Sequence, residues 1–158
     1  MADPYERKLP PLSPQLVLSD AAAAIDFYKR AFGATELTRH MGPDGKRIMH
    51  GSILINGAVV MLSDEFPDYH GGKRNSPVGL GGTTVVLHLQ VADADPVFDQ
   101  AVSAGATVRV PLADQFWGDR YGQVQDPFGH IWAIGAAKKK MTLEEIEKAA
   151  ASHFAEAK

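Results

Sequence analysis

The sequence predicts an α+β fold of two tandem βαβββ modules forming a curved mixed sheet. Three observations carry this expectation. A strand, helix, strand and hairpin pattern occurs twice along the 158 residues. The helix stop Phe32-Gly33-Ala34-Thr35 recurs 72 positions later as Ala104-Gly105-Ala106-Thr107, and Gly57-Ala58-Val59-Val60 matches Gly129-His130-Ile131-Trp132 at the same offset. Earlier in the modules the offset is 73, pairing Asp20, Ile25 and Asp26 with Asp93, Phe98 and Asp99, a slip that one deletion explains. Agreement of order, caps and stops is what an internal duplication leaves.

The elements follow in order. A polar, Pro-rich leader over residues 1–11 precedes a short strand, Gln15-Leu16-Val17-Leu18. Ser19-Asp20 offers an N-cap for a helix from Ala21 to Phe32, and Gly33 is placed to end it. Ile25, Tyr28 and Phe32 give that helix one apolar stripe, with Asp26, Lys29 and Arg30 facing away. Glu36 to His40 reads as a strand, Pro43-Asp44-Gly45 as a turn, and Arg47 to Ile55 as a second strand ending on Asn56-Gly57. Asn-Gly is a strong hairpin signal, so Ala58 to Leu62 returns antiparallel. The second module repeats this with a strand from Val85 to Val91 and a helix from Ala94 to Ala104, whose Pro96 falls in the tolerant first turn.

These spans give one domain over residues 12–136: module one at 12–64, a linker at 65–82 and module two at 83–136. The linker is rich in Gly and Pro, and its Gly79-Leu80-Gly81-Gly82 lacks the Gly-Lys-Ser/Thr ending of a phosphate-binding loop. Residues 137–158 form an appended C-terminal helix, opened by the capping box Thr142-Leu143-Glu144-Glu145 and carrying Leu143, Ile146, Ala150 and Phe154 on one face.

Composition narrows the function classes. A net charge of -3, with 16 basic and 19 acidic residues interspersed, carries no footprint for nucleic acid or an anionic membrane. Without cysteine there is no disulfide framework, thiolate nucleophile or thiolate metal site. The leader has no apolar signal core and no run of about 18 apolar residues occurs, so a cytoplasmic protein is expected.

Alternation along strands sorts side chains onto two faces. One face is uniformly apolar, with Leu16, Leu18, Val60 and Leu62 in module one and Leu87, Leu89, Val91, Trp132 and Ile134 in module two. It suits packing against a helix. The opposite face is mixed: Ser13, Gln15, Val17, Val59, Met61 and Ser63 in module one, and Val86, His88, Gln90, Ile131 and Ala133 in module two. In the strand Arg47 to Ile55, Met49, Ile53 and Ile55 are assigned to the helix side and His50 and Ser52 to the mixed face. At an offset of 72, Arg120 and Gly122 correspond to Ile48 and His50. A mixed face can be solvated. Met61, Val59, Val86 and Ile131 make it apolar enough to favour a concave pocket with a few polar groups.

Asp20-Ala21-Ala22-Ala23-Ala24-Ile25-Asp26-Phe27-Tyr28, Phe32-Gly33-Ala34, Phe116-Trp117-Gly118-Asp119-Arg120-Tyr121-Gly122 and Asp126-Pro127-Phe128-Gly129-His130-Ile131-Trp132 form a distinctive series. The series resembles the PhnB-like branch of the vicinal oxygen chelate superfamily, which contains glyoxalases, bleomycin-resistance proteins and extradiol dioxygenases. The resemblance covers residues 12–136 and implies paired βαβββ modules, a cavity in each curved sheet and commonly a homodimer. Parts of the series also have plain structural readings. Asp126-Pro127-Phe128-Gly129 suits a type I turn, Trp117 and Tyr121 suit a core, and Arg120 has Asp114, Asp119 and Asp126 as possible partners.

In metal-dependent members such as glyoxalase I, the resemblance implies four His or Glu ligands. Alignment on Ile-Asp-Phe-Tyr and Asp-Pro-Phe-Gly puts Ser13, Met61, Val86 and Ala133 at those positions, none of them a convincing ligand. No cofactor is therefore expected, and a divalent metal is disfavoured. Two function classes remain. One is a metal-free protein that binds a small molecule through Gln15, His50, His88, Trp117 and Arg120. The other is a lyase, isomerase or dioxygenase in which His50 or His88 serves as base or displaced metal ligand, imidazole titrating near neutral pH. Asp64, Glu65 and Asp68 suggest a solvated loop, or an acidic cup for a cationic ligand.

Overall fold

In a computed structural model that describes residues 10–156, the chain divides into two compact units, Met1–Gly82 and Thr83–Lys158. Most of the leader lies outside the described residues. Unit one contains β1 (Gln15–Leu18), α1 (Ala21–Phe32), β2 (Thr35–Met41), β3 (Ile48–Ile55) and β4 (Ala58–Asp64), followed by a 3-10 turn at Pro67–Tyr69 and the single-turn α2 (Pro77–Leu80). Unit two contains β5 (Val86–Gln90), α3 (Ala94–Ala104), β6 (Thr107–Asp114), β7 (Asp119–Gln125), β8 (Ile131–Ala137) and α4 (Leu143–Glu156). Each module forms its own four-stranded mixed sheet, ordered β1-β4-β3-β2 and β5-β8-β7-β6. In both, the first strand pairs parallel with the last and the other pairs are antiparallel.

Local chemistry explains the boundaries. The Asp20 carboxylate accepts the Ala23 N–H at 2.9 Å and caps α1, which ends where Gly33 adopts φ +64°, a left-handed conformation that Gly adopts without Cβ strain. Asn56 and Gly57 both take positive φ, 48° and 79°, as the tight β3–β4 hairpin requires. At α4 the capping box is reciprocal. Thr142 N–H reaches Glu145 Oε2 at 2.7 Å, and Glu145 N–H reaches Thr142 Oγ1 at 3.2 Å. The second hairpin closes on Asp126, whose carboxylate accepts the N–H groups of Phe128 and His130 and the indole N–H of Trp132, each at 2.9 Å.

Both cores lie between a helix and the apolar sheet face. Leu16, Leu18, Val60 and Leu62 are buried with Ile25, Phe27 and Tyr28 in unit one, and Leu89, Trp132 and Ile134 with Phe98 in unit two. Burying side chains of this size stabilises a domain by about 1.5–3 kcal/mol each. Among the described residues no helix is long and apolar enough to cross a membrane.

Met49 departs from its assigned face. The register runs His40 opposite His50 and then Met41 opposite Ile48, so Met49 is the extra residue of a β-bulge. The bulge turns Ile48 into the core at 0% exposure and leaves Met49 42% exposed on the mixed side. A second shift concerns the repeat. Ser52 lies opposite Met61 and Gln123 opposite Ala133, because three residues separate Asp126 from His130 where two separate the equivalent pair Ile55 and Ala58. The counterpart of His50 is therefore Tyr121, and Gly122 faces the helix, where an added Cβ would lie 2.8 Å from the Phe98 ring.

Candidate functional site

In unit one the mixed face is the floor of a cleft of about 390 Å³ lined by Gln15 and Val17 of β1, Met49 of the bulge and Ser63 of β4. Its wall comes from the connection after β4, through Phe66, Tyr69, His70 and Asn75. The segment expected as a plain linker is thus part of the cleft. Arg47 pins this wall: its guanidinium lies 4.4 Å from the Phe66 ring centroid and bonds to Asp44 at 2.6 Å and Asp68 at 2.5 Å. Glu65 is buried and bonds to Arg74 and to the Ser76 N–H. Burial pushes its carboxyl up, but the bonds from Ser76 and Arg74 outweigh this and hold it below the usual value.

The three acidic residues do not make an acidic cup. Asp64 is buried and spends its two oxygens on the N–H groups of Ala21 (2.7 Å) and Ile48 (2.6 Å). Glu65 is held by Arg74 and Asp68 by Arg47. Nor are Asp64 and Glu65 solvated, at 7% exposure each. What the cleft offers a ligand is apolar surface with the hydroxyls of Ser63 and Tyr69, the carboxamides of Gln15 and Asn75 and the imidazole of His70, a combination typical of small-molecule sites.

His50 is half-buried on β3 directly opposite His40, with ring centroids 6.3 Å apart and planes at 21°. Beside this pair the hydroxyls of Ser52 and Thr38 bond at 2.7 Å. His40 escaped the sequence reading because cross-strand pairing depends on register, which the bulges at Leu37 and Met49 displace.

In unit two, His88, Ala133 and Gln123 share the mixed face, as do Gln90, Gly135 and Tyr121. His88 Nε2 lies 2.8 Å from Gln90 Oε1, its ring stacks on Tyr121 (6.1 Å, 16°), and Gln123 donates to the Tyr121 hydroxyl at 2.8 Å. Trp117 extends the row, edge-on to Tyr121 at 5.6 Å, with its indole N–H on Asp119 at 3.3 Å. Tyr121 is the site residue that sequence reasoning left among possible core aromatics. Its identification needed the corrected β7 register.

Arg120 does not join this row. It projects on the helix side, opposite Ala136, and forks onto Asp95 in the first turn of α3 at 2.6 and 2.8 Å, with a third bond to Asp114 at 3.1 Å. Those bonds hold the carboxyls of Asp95 and Asp114 below the usual range.

The metal quartet fits poorly. Met61, Val86 and Ala133 present a thioether and two hydrocarbon side chains, and Ser13 one hydroxyl, where hard divalent ions need imidazole or carboxylate. Among the described residues no group of three or more His, Cys, Asp or Glu is placed to hold a metal.

The sequence is 53% identical over 143 residues to the uncharacterized protein Mb0911c of Mycobacterium bovis, covering 90% of this chain and 93% of that one. The fold is similar to TioX from Micromonospora sp. ML1 (28% identity, TM-score 0.60, 83% of this chain and 98% of that one). It is also similar to a PhnB protein from Bacillus cereus (17% identity, TM-score 0.61, 81% and 100%). The profile of the Glyoxalase/Bleomycin resistance protein/Dioxygenase superfamily matches residues 12–134, and the chain belongs to that superfamily.

Proposed function

We propose that this chain is a small-molecule-binding member of its superfamily that works without the metal quartet. The observation that carries the reading is the cleft of about 390 Å³ on the first sheet, floored by Gln15, Val17, Met49 and Ser63 and walled by Phe66 and Tyr69. Its nearby carboxylates are already engaged by backbone N–H groups and arginines, so the cleft recognises shape, apolar surface and neutral hydrogen-bonding groups. His88 and Trp117 give the second sheet a comparable polar and aromatic face. Arg120 serves as a brace between α3 and the β6–β7 hairpin. The proposed working form is a homodimer.

The test is metal analysis together with native mass spectrometry of the chain purified without chelator. The expected result is substoichiometric metal, with a retained organic molecule or saturable binding of a fluorescent apolar probe. Gln15→Ala with Tyr69→Ala weakens that binding about tenfold or more. Stoichiometric metal with metal-dependent turnover, abolished by His50→Ala or His88→Ala, would instead establish the enzymatic reading.

A further inference from the structure

The His88 ring has a defined orientation that depends on its floor. On β8, the residues opposite His88 and Gln90 are Ala133 and Gly135, where the repeat puts Met61 and Ser63 in module one. A Cβ at Gly135 would lie 3.0 Å from His88 Cε1, 3.3 Å from Nε2 and 3.4 Å from Gln90 Oε1. A side chain there would push the imidazole and the carboxamide aside by a few tenths of an ångström, so the glycine leaves room for the two to meet above the strand.

The contact also favours one tautomer. The exposed His88 and Gln90 side chains meet with Gln90 Oε1 turned to the ring at 2.8 Å, and in that amide orientation His88 Nε2 donates. In the neutral ring this leaves the lone pair on Nδ1, which has no hydrogen-bond partner among the described residues. Tyr121 supplies the complementary group: its oxygen accepts from Gln123 at 2.8 Å, so its own hydroxyl proton is directed elsewhere. The Tyr121 and Trp117 rings border the pair and offer a stacking surface.

We propose that this face of the second sheet is a subsite for an aromatic ligand group bearing an O–H or N–H donor, with His88 Nδ1 as the fixed acceptor. Gln90 and Gly135 are positioning residues that hold the ring in its Nε2–H form. The inference rests on the small-molecule reading above and adds the ligand chemistry. A fixed hydrogen-bonding partner discriminates against an analogue lacking the matching donor, and because His88 is exposed the discrimination here is modest, on the order of tenfold.

The experiment uses the full ¹⁵N-labelled chain above neutral pH, with the His88 ring signals assigned by His88→Phe. Long-range ¹H–¹⁵N spectra are expected to show one Nε2–H tautomer. Gln90→Glu, which keeps an acceptor, retains it, whereas Gln90→Leu and Gly135→Ala give a tautomer mixture. The probes are 2-naphthol and 2-methoxynaphthalene, which share a ring system and differ in the donor. Naphthol is expected to shift His88 Nδ1 and bind about tenfold or more tightly than the ether. His88→Phe removes that preference while keeping an aromatic ring.

A wild-type His88 in the Nδ1–H form or in averaged exchange overturns the inference, as does equal affinity for the two probes. Either result with binding in the first-sheet cleft intact overturns the subsite alone. Absence of binding at both places overturns the reading beneath it as well.

Discussion

Glu36 is the residue whose environment most clearly couples charge to stability. Arg39 donates to it at 2.6 Å and Lys29 at 2.8 Å, and the Arg39 bond followed by the Lys29 bond brings its carboxyl down to about 2. A carboxyl depressed in the folded chain stabilises that state above its unfolded value near 4.5. The contribution is lost as pH falls from there through about 2. Because these side chains remain partly exposed, solvent screening limits the network to about 1 kcal/mol. Urea unfolding is expected to find Glu36→Gln about 1 kcal/mol less stable at neutral pH, with the gap closing toward pH 2. A gap unchanged with pH would mean that packing, and not charge, is what the substitution removes. Arg120 shows the limit of reading single residues. Its sequence neighbours Asp119 and Asp126 looked as suitable as Asp114, but its main partner is Asp95, 25 positions away and brought close by α3. Only the fold makes that pair visible.

Among the elements, those defined by periodicity and caps were legible and those defined by irregularity were not. α1, α3 and the two hairpins follow from Asp20, Asp93, the helix-ending glycines, the Asn56-Gly57 turn and the Asp126-Pro127-Phe128-Gly129 turn, all local chemistry. The bulge at Met49 has no comparable local signal, yet it decides which of Ile48 and Met49 faces the core and which lines the cleft. The connection after β4 reads as a linker by composition. Its order comes from Arg47, Glu65 and the Ser76 cap, contacts whose geometry a sequence does not reveal. The loop carrying Trp117 and Gly118 joins motif to architecture more directly. Gly118 sits at φ +97°, its carbonyl accepts the N–H groups of Lys138 (3.0 Å) and Lys139 (2.9 Å), and an added Cβ would lie 2.6 Å from the Lys139 carbonyl oxygen. The same loop meets α4, where Phe116 stacks on His153 with centroids 5.0 Å apart. Gly118→Ala is therefore expected to cost about 2 kcal/mol and to loosen the approach to α4. Hydrogen exchange at the Lys138 and Lys139 amides is the direct readout. Unchanged protection there would show that the glycine is not what anchors the C-terminal segment.

At the scale of the whole molecule, the duplication gives each unit the same two outer strands, β1 and β2 in one and β5 and β6 in the other. These edges are not blunted by charge alone. Leu37 and Met41 of β2 are 43% and 45% exposed, and Val108 and Val110 of β6 are 43% and 37% exposed. The C-terminal helix adds Leu143 at 80% and Phe154 at 61%, while none of its residues is buried. Apolar side chains along unpaired edges and on an amphipathic helix favour association, and two identical chains bury such surfaces symmetrically. The proposed homodimer, an expectation from the resemblance, would cover this exposed apolar surface. Light scattering coupled to size exclusion is expected to give twice the chain mass, and Val108→Lys with Val110→Lys to return a folded species of single mass if β6 lies in the interface. A wild-type chain that stays at single mass across the micromolar range would end the dimer proposal. It would also assign those exposed valines to a different partner or to solvent, while leaving the proposal for the first-sheet cleft, which is built within one unit, untouched.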